Sequence, residues 1–213
     1  MNTEDYLRCW SQLHGGVPPR GLVGGWLRIS HAVSRPLVAL GVAPHAVTLA
    51  GLLAALLALP SAAAGEHWPL LAAGAVVLSA LLDSLDGAVA VQTGRTSRAG
   101  AVLDPACDRL AECAFLGSLW LAGAQAGWCV AGGVLALMHE QVRASARASG
   151  LSEVGVVTIS ERPTRVIVTA AFLLGVGLFP DAAPTWANAG AIGWTGLGLV
   201  GFAQLAIVFR RRL

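Results

Sequence analysis

At 213 residues and 21.8 kDa, with 55% hydrophobic and only 12% charged residues, the chain carries about half the charge of an ordinary soluble domain. Together with a mean hydropathy of +0.67, that excludes a water-wrapped globule and makes lipid the solvent. All fourteen basic residues are arginine, which excludes lysine chemistry. Cys9, Cys107, Cys113 and Cys129 show no CxxC spacing, so neither a zinc site nor a disulfide framework is expected.

In chain order, residues 1–35 mix Arg8, Arg20, Arg28 and Arg35 with Trp10, Leu22, Trp26 and Ile29, a blend suited to lying on a membrane rather than crossing it. The opening MNTEDYLRCW has two acids and no apolar core, so no cleaved leader is expected. Apolar runs follow at 47–64 and 68–82, then a polar stretch at 92–109, then a third run to 126. Gly127 offers a turn into a fourth run that reaches His139, and two more lie at 166–179 and 186–209. The expected fold is all-α: a polytopic membrane protein with six transmembrane helices (36–213) behind an N-terminal interfacial helical segment (1–35). Every arginine falls in the termini or in connections two and four, and the opposite connections hold none. The positive-inside rule therefore predicts a multi-pass protein of the cell membrane with both termini cytoplasmic. Twenty-six glycines imply closely packed helices.

Four acids gather at the cytoplasmic ends of spans two and three. Asp83 and Asp86 are three apart, Asp104 and Asp108 four apart, so each couple shares one face if its stretch is helical. Two facing couples would make a cup of four carboxylates, costly at membrane depth without cations. Carboxylate oxygen is the ligand preferred by Mg²⁺, Ca²⁺ or Mn²⁺. The competing reading is a solvated loop whose aspartates pair with Arg95, Arg98 and Arg109. Asp83 directly follows an apolar run, and Gly87, Ala88, Ala90 and Gly100 keep the surroundings small. Both features favour a metal site open to lipid, which suits phosphoryl chemistry on a molecule with a polar head and acyl tails.

The stretch Asp83-Ser-Leu-Asp86-Gly87-Ala-Val-Ala90, followed by Gly100-Ala-Val-Leu-Asp104-Pro-Ala-Cys-Asp108, resembles the CDP-alcohol phosphatidyltransferase motif DxxDGxxAR-x8-GxxxDxxxD. The spacing agrees throughout. The one departure is Val91, where the family has arginine, and Arg95 or Arg98 are candidates to replace it. The resemblance implies that Asp83, Asp86, Asp104 and Asp108 hold two divalent ions, Mg²⁺ with Mn²⁺ as the other candidate, at the diphosphate of CDP-diacylglycerol. It implies that Asp108 is also the general base for an acceptor hydroxyl that displaces CMP. Thr48, in a Pro44-His-Ala-Val-Thr48 element similar to the family's PNxxT, would contact the nucleotide with Gly87, Ala90 and Gly100. A helix opening with a buried threonine explains Thr48 equally well.

The resemblance implies that the acceptor is a small polar alcohol. Arg143, Arg147, Arg162 and Arg165 accumulate in the fourth connection, where they serve either as topology determinants or, for Arg143, Arg162 and Arg165, as bidentate phosphate ligands. The second role implies a polyol phosphate. Glu161-Arg162-Pro-Thr-Arg165 and the motif together are similar to the actinobacterial phosphatidylinositol-phosphate synthase branch, whose acceptor is an inositol phosphate. That branch has lysine at Arg143 and serine at Glu140, so glycerol 3-phosphate stays a candidate. His139 and Glu140 are candidates to line the acceptor cavity, although a lone histidine at a helix end is more often a bystander. His14, His31 and His67 carry no readable role, and Trp120, Trp128, Trp186 and Trp194 suit interfacial belts or helix packing better than a binding box. Gly123 and Gly127 satisfy GxxxG, compatible with a homodimer, and no nucleic-acid partner is expected. Two rivals remain: a cation transporter, and an inactive relative that binds CDP-lipid.

Overall fold

Long alanine and leucine runs broken by glycine and proline leave the backbone one way to satisfy its hydrogen bonds without water, and every segment becomes a helix. The computed structural model describes residues 1–13, 16, 18–150 and 158–212, without the side chains of Leu13, Leu22, Arg211 and Arg212. His14 and the side chain of Leu22, part of the expected interfacial segment, thus lie outside the described residues. Among the described residues there are eight α-helices and no strand: α1 Thr3–Leu13, α2 Gly21–Ala39, α3 Pro44–Ala63, α4 Pro69–Thr93, α5 Gly100–Leu121, α6 Ala126–Ala148, α7 Arg162–Leu178 and α8 Ala183–Arg212. A single 3-10 turn, Pro180–Ala182, precedes α8. Pro44 and Pro69 each occupy the first turn of a helix, where the missing N–H costs nothing.

Three helices, α3, α4 and α8, are long and apolar enough to cross a membrane. The others fall short for identifiable reasons. α5 carries Asp104, Asp108, Arg109 and Glu112, α6 carries Glu140, Arg143 and Arg147, and α7 has 17 residues and two arginines. Their exteriors are nevertheless apolar, with Trp120, Val130, Val134, Ile167 and Leu174 all exposed.

Two boundaries differ from the sequence expectation. The apolar run ending at Leu82 is not the end of α4, which continues through Asp83 and Asp86 to Thr93. Hydropathy reports the medium around a helix, whereas its continuation depends on backbone hydrogen bonds, and the small Gly87, Ala88 and Ala90 do not interrupt them. The turn between α5 and α6 is made at Gly123, whose φ of 110° suits glycine, and not at Gly127, which is inside α6.

The contacts divide the chain into two units. Residues 1–53 and 78–108 form the first. Its core brings Tyr6 and Leu7 of α1, Leu27 of α2 and Ala88 of α4 together, with Trp10 and Val91 packed against them. On the buried polar side of α2, His31 meets the Tyr6 ring at 5.0 Å and lies 3.3 Å from the Met1 carbonyl. Ser34 accepts from Gln92 of α4 at 2.5 Å. The opposite face of α2 exposes Val23, Trp26, Ile29 and Val33, spaced three or four apart as a single stripe. Residues 54–77 and 109–213 form the second unit, in which α8 packs on α6 and α7. Its core includes Phe115, Leu119, Leu173, Val176 and Leu205, and the Trp194 indole N–H donates to Thr169 at 2.9 Å. His67 and Gly177 of this unit, at the arginine-free ends, meet at 2.8 Å.

Candidate metal centre

The first unit carries all four motif aspartates. Because α4 and α5 are helical there, the three- and four-residue spacings place each couple on one face. One carboxylate oxygen each from Asp83, Asp104 and Asp108 comes within 4.8 Å of the others, all three residues being half-buried. Like charges at such separations repel, and hard carboxylate oxygens are the donors that Mg²⁺, Mn²⁺ and Ca²⁺ prefer. The donor set therefore fits a divalent cation.

Asp86 behaves differently. It is buried at 7% exposure, and its Oδ2 accepts a 2.6 Å hydrogen bond from the Thr48 hydroxyl of α3. It is absent from the three-carboxylate group. Thr48 lies 3.2 Å from the Pro44 carbonyl as well, so its side chain is held from two sides.

The small residues lie as follows. A Cβ on Gly87 would meet only open space, and Gly87 is exposed. Ala90 is half-buried. Gly100 opens α5 under the His45 ring: a Cβ there would stand 2.8 Å from His45 Cε1 and 3.3 Å from Ser97 Oγ, so no larger residue fits without displacing one of them. Ser97 accepts the Gly100 N–H at 3.0 Å and lies 3.3 Å from His45 Nε2. Sequence reading passed over this role of Ser97 and His45, although serine three residues before Gly100 is a helix N-cap pattern. Val91 abuts the cluster of Tyr6, Leu7, Leu27 and Ala88, so the side chain at the motif's arginine position is an apolar packing contact. Arg95 and Arg98 are exposed.

The three arginines expected at the acceptor belong to the second unit. Arg165 is 1% exposed, and its guanidinium donates to Glu112 at 2.6 Å and to the Ser160 carbonyl at 2.6 Å. It also lies 5.9 Å from the Trp194 ring. Arg143 donates to Glu161 at 2.8 Å. Arg162 is half-buried at the start of α7. His139 is fully buried and sits 3.1 Å from the Thr158 hydroxyl, while Glu140 is half-buried beside it. Glu112, one turn beyond Asp108 in α5, was not legible as a partner for Arg165, which is 53 positions away.

Residues 41–201 match the family model for CDP-alcohol phosphatidyltransferases. The chain is 39% identical over 163 residues to a phosphatidylinositol phosphate synthase of Mycolicibacterium smegmatis, covering 72% of this chain and 69% of that one. It is 29% identical to an archaetidylinositol phosphate synthase of Pyrococcus horikoshii, covering 72% and 83%. Among solved structures, it is similar to phosphatidylinositol phosphate synthase of Mycobacterium tuberculosis in complex with manganese and citrate, with a TM-score of 0.68, 28% identity and coverage of 83% and 87%. The same enzyme with CDP-DAG bound gives 0.65, 30% identity and coverage of 84% and 90%.

Proposed function

The chain belongs to the CDP-alcohol phosphatidyltransferase family, and on that premise we propose that it moves a phosphatidyl group from CDP-diacylglycerol to a small polar alcohol, releasing CMP. The observation that carries the reading is the convergence of Asp83, Asp104 and Asp108, three of the four acids in the family motif.

Asp83, Asp86, Asp104 and Asp108 would hold the divalent cations, Mg²⁺ or the manganese found in the mycobacterial relative. When bound, such ions neutralise charge on phosphoryl oxygens and on the departing nucleotide phosphate. Thr48 orients Asp86 through the 2.6 Å hydrogen bond. Gly87 and Ala90 offer the cytidine a surface without large side chains, and Gly100 leaves room for the His45 ring. Asp108 takes the proton from the acceptor hydroxyl. The freed oxygen bonds to the lipid-side phosphorus as the bond from that phosphorus to CMP breaks, and the electron pair leaves on CMP. Proton transfer of this kind contributes about 10²–10⁴ in rate.

The acceptor is a polyol phosphate of the inositol phosphate type, for which Arg143, Arg162 and Arg165 supply positive charge; the relatives' own names support this choice. Helices α3 to α8 are six bilayer spans, supported by the apolar exteriors of α5, α6 and α7. The arginine distribution supports cytoplasmic termini, and the apolar stripe of α2 supports its lying in the membrane interface. The test is purified protein in lipid nanodiscs with CDP-diacylglycerol, Mg²⁺ and a panel of polyols and polyol phosphates, following CMP release and the mass of the lipid product. Release of CMP with inositol phosphate, and a matching lipid phosphate product, is expected. Cation flux through liposomes without CMP release would refute the reading.

A further inference from the structure

The second unit holds a concentration of charge of both signs: Arg109 and Glu112 on α5, Glu140 and Arg143 on α6, Glu161 just before α7, and Arg165 within it. Most of these groups have a short partner. Arg165 meets Glu112 at 2.6 Å, Arg143 meets Glu161 at 2.8 Å, and Arg109 meets Glu112 at 3.4 Å. Glu140 is different. Its Oε1 lies 3.6 Å from Arg165, 3.8 Å from Arg109, 3.9 Å from Arg143 and 3.6 Å from His139 Nδ1.

A single oxygen thus sits at the meeting point of three guanidinium groups and an imidazole, beyond hydrogen-bond length from every one of them. The four groups bound a hole that this oxygen occupies at ion-pair rather than hydrogen-bond distance. A phosphate group, with three strong acceptor oxygens aimed in different directions, matches three converging guanidiniums far better. Burial shows which member can yield. Arg165 and Glu112 form the floor at 1% and 4% side-chain exposure, whereas Glu140 is 27% exposed and reaches solvent together with Arg109 at 24%. Moving Glu140 aside takes one negative charge away from the three guanidiniums that converge there.

We propose that Glu140 is a built-in placeholder: its carboxylate occupies the position that the phosphate of a phosphorylated acceptor takes, and it swings outward when that phosphate arrives. This rests on the reading above that the arginines receive the acceptor's phosphate. Glu140 is then a specificity-determining residue that acts by competition. It holds the guanidiniums in a binding-ready arrangement and lowers the apparent affinity for the acceptor by the fraction of time it fills the hole.

The experiment compares the parent protein with E140Q and E140D in nanodiscs, measuring acceptor KM for inositol phosphate and for unphosphorylated inositol. In parallel, the melting midpoint is followed as inorganic phosphate is added. If the carboxylate fills the hole about 70–90% of the time, E140Q lowers the inositol phosphate KM about three- to tenfold, leaves the KM for unphosphorylated inositol where it was, and is stabilised by less phosphate than the parent. E140D, whose shorter arm withdraws the charge, moves the same way by less, and it carries the test if E140Q does not fold. An unchanged or raised KM for inositol phosphate in a folded variant overturns the proposal, as does an equal fall for both acceptors. If the parent turns over no acceptor at all, the proposed reaction is what fails, and the phosphate melts still decide the placeholder by themselves.

Discussion

Asp108→Asn separates the electrostatic part of the site from its chemistry. With oxygens of Asp83, Asp104 and Asp108 within 4.8 Å of one another, each pair repels by about 3.5 kcal/mol at an effective dielectric near 20. Three pairs sum to about 10 kcal/mol, and neutralising Asp108 removes two of them. Water reaches these half-buried groups, so about a third of that gain, roughly 2 kcal/mol, reaches stability after screening. For a chain of this length that is about 4–8 °C in melting midpoint. The seven tryptophans make intrinsic fluorescence a direct readout. In excess EDTA, Asp108→Asn should melt above the parent; in Mg²⁺ the order should narrow or reverse, because the parent binds the cation better. Transfer should fall about 10²–10⁴-fold. A variant that melts no higher than the parent in EDTA would refute a net repulsive effect of the Asp108 carboxylate, and undiminished CMP release would remove Asp108 from the role of base. CMP release by the parent in EDTA would dispose of the metal requirement.

Other outcomes follow from neighbouring contacts. Val91→Arg should not raise turnover, since a guanidinium pressed on Tyr6, Leu7 and Leu27 costs about 1–3 kcal/mol and loosens α1; faster proteolytic cleavage within α1 is the readout, and higher activity with α1 protected would contradict it. Gly100→Ala should displace His45, which lies 2.8 Å from the new Cβ, and raise the CDP-diacylglycerol KM a few-fold, with His45→Ala restoring it. Identical kinetics for the single and double variants would refute that coupling. Glu112→Ala leaves the buried Arg165 without its 2.6 Å partner and should cost about 3–5 kcal/mol, read as a lower melting midpoint. Adding Arg165→Met should recover most of the loss, and additive losses would argue against the pair.

The elements whose cause is local were legible in the residues. Asp83 and Asp86 share a face, as do Asp104 and Asp108, because helical geometry needs only their spacing. The apolar runs located α3, α4 and α8 because lipid selects for hydropathy directly. The ends of those runs were poorer guides, since α4 keeps its backbone hydrogen bonds well past the last apolar residue and carries Asp83 and Asp86 with it.

Which partner each polar side chain takes was another matter. Asp86 turns to Thr48, 38 positions earlier, while its neighbour Asp83 joins Asp104 and Asp108. Arg165 is drawn inward by Glu112, and Val91 is apolar because α1 and α2 bring Tyr6, Leu7 and Leu27 to it. Sequence fixes where charge and apolar surface stand along each helix, because 3.6 residues per turn is a property of the backbone alone. Only packing decides which of several oppositely charged or equally apolar candidates meet, because burial makes an unmatched polar group cost more than any local preference can offset.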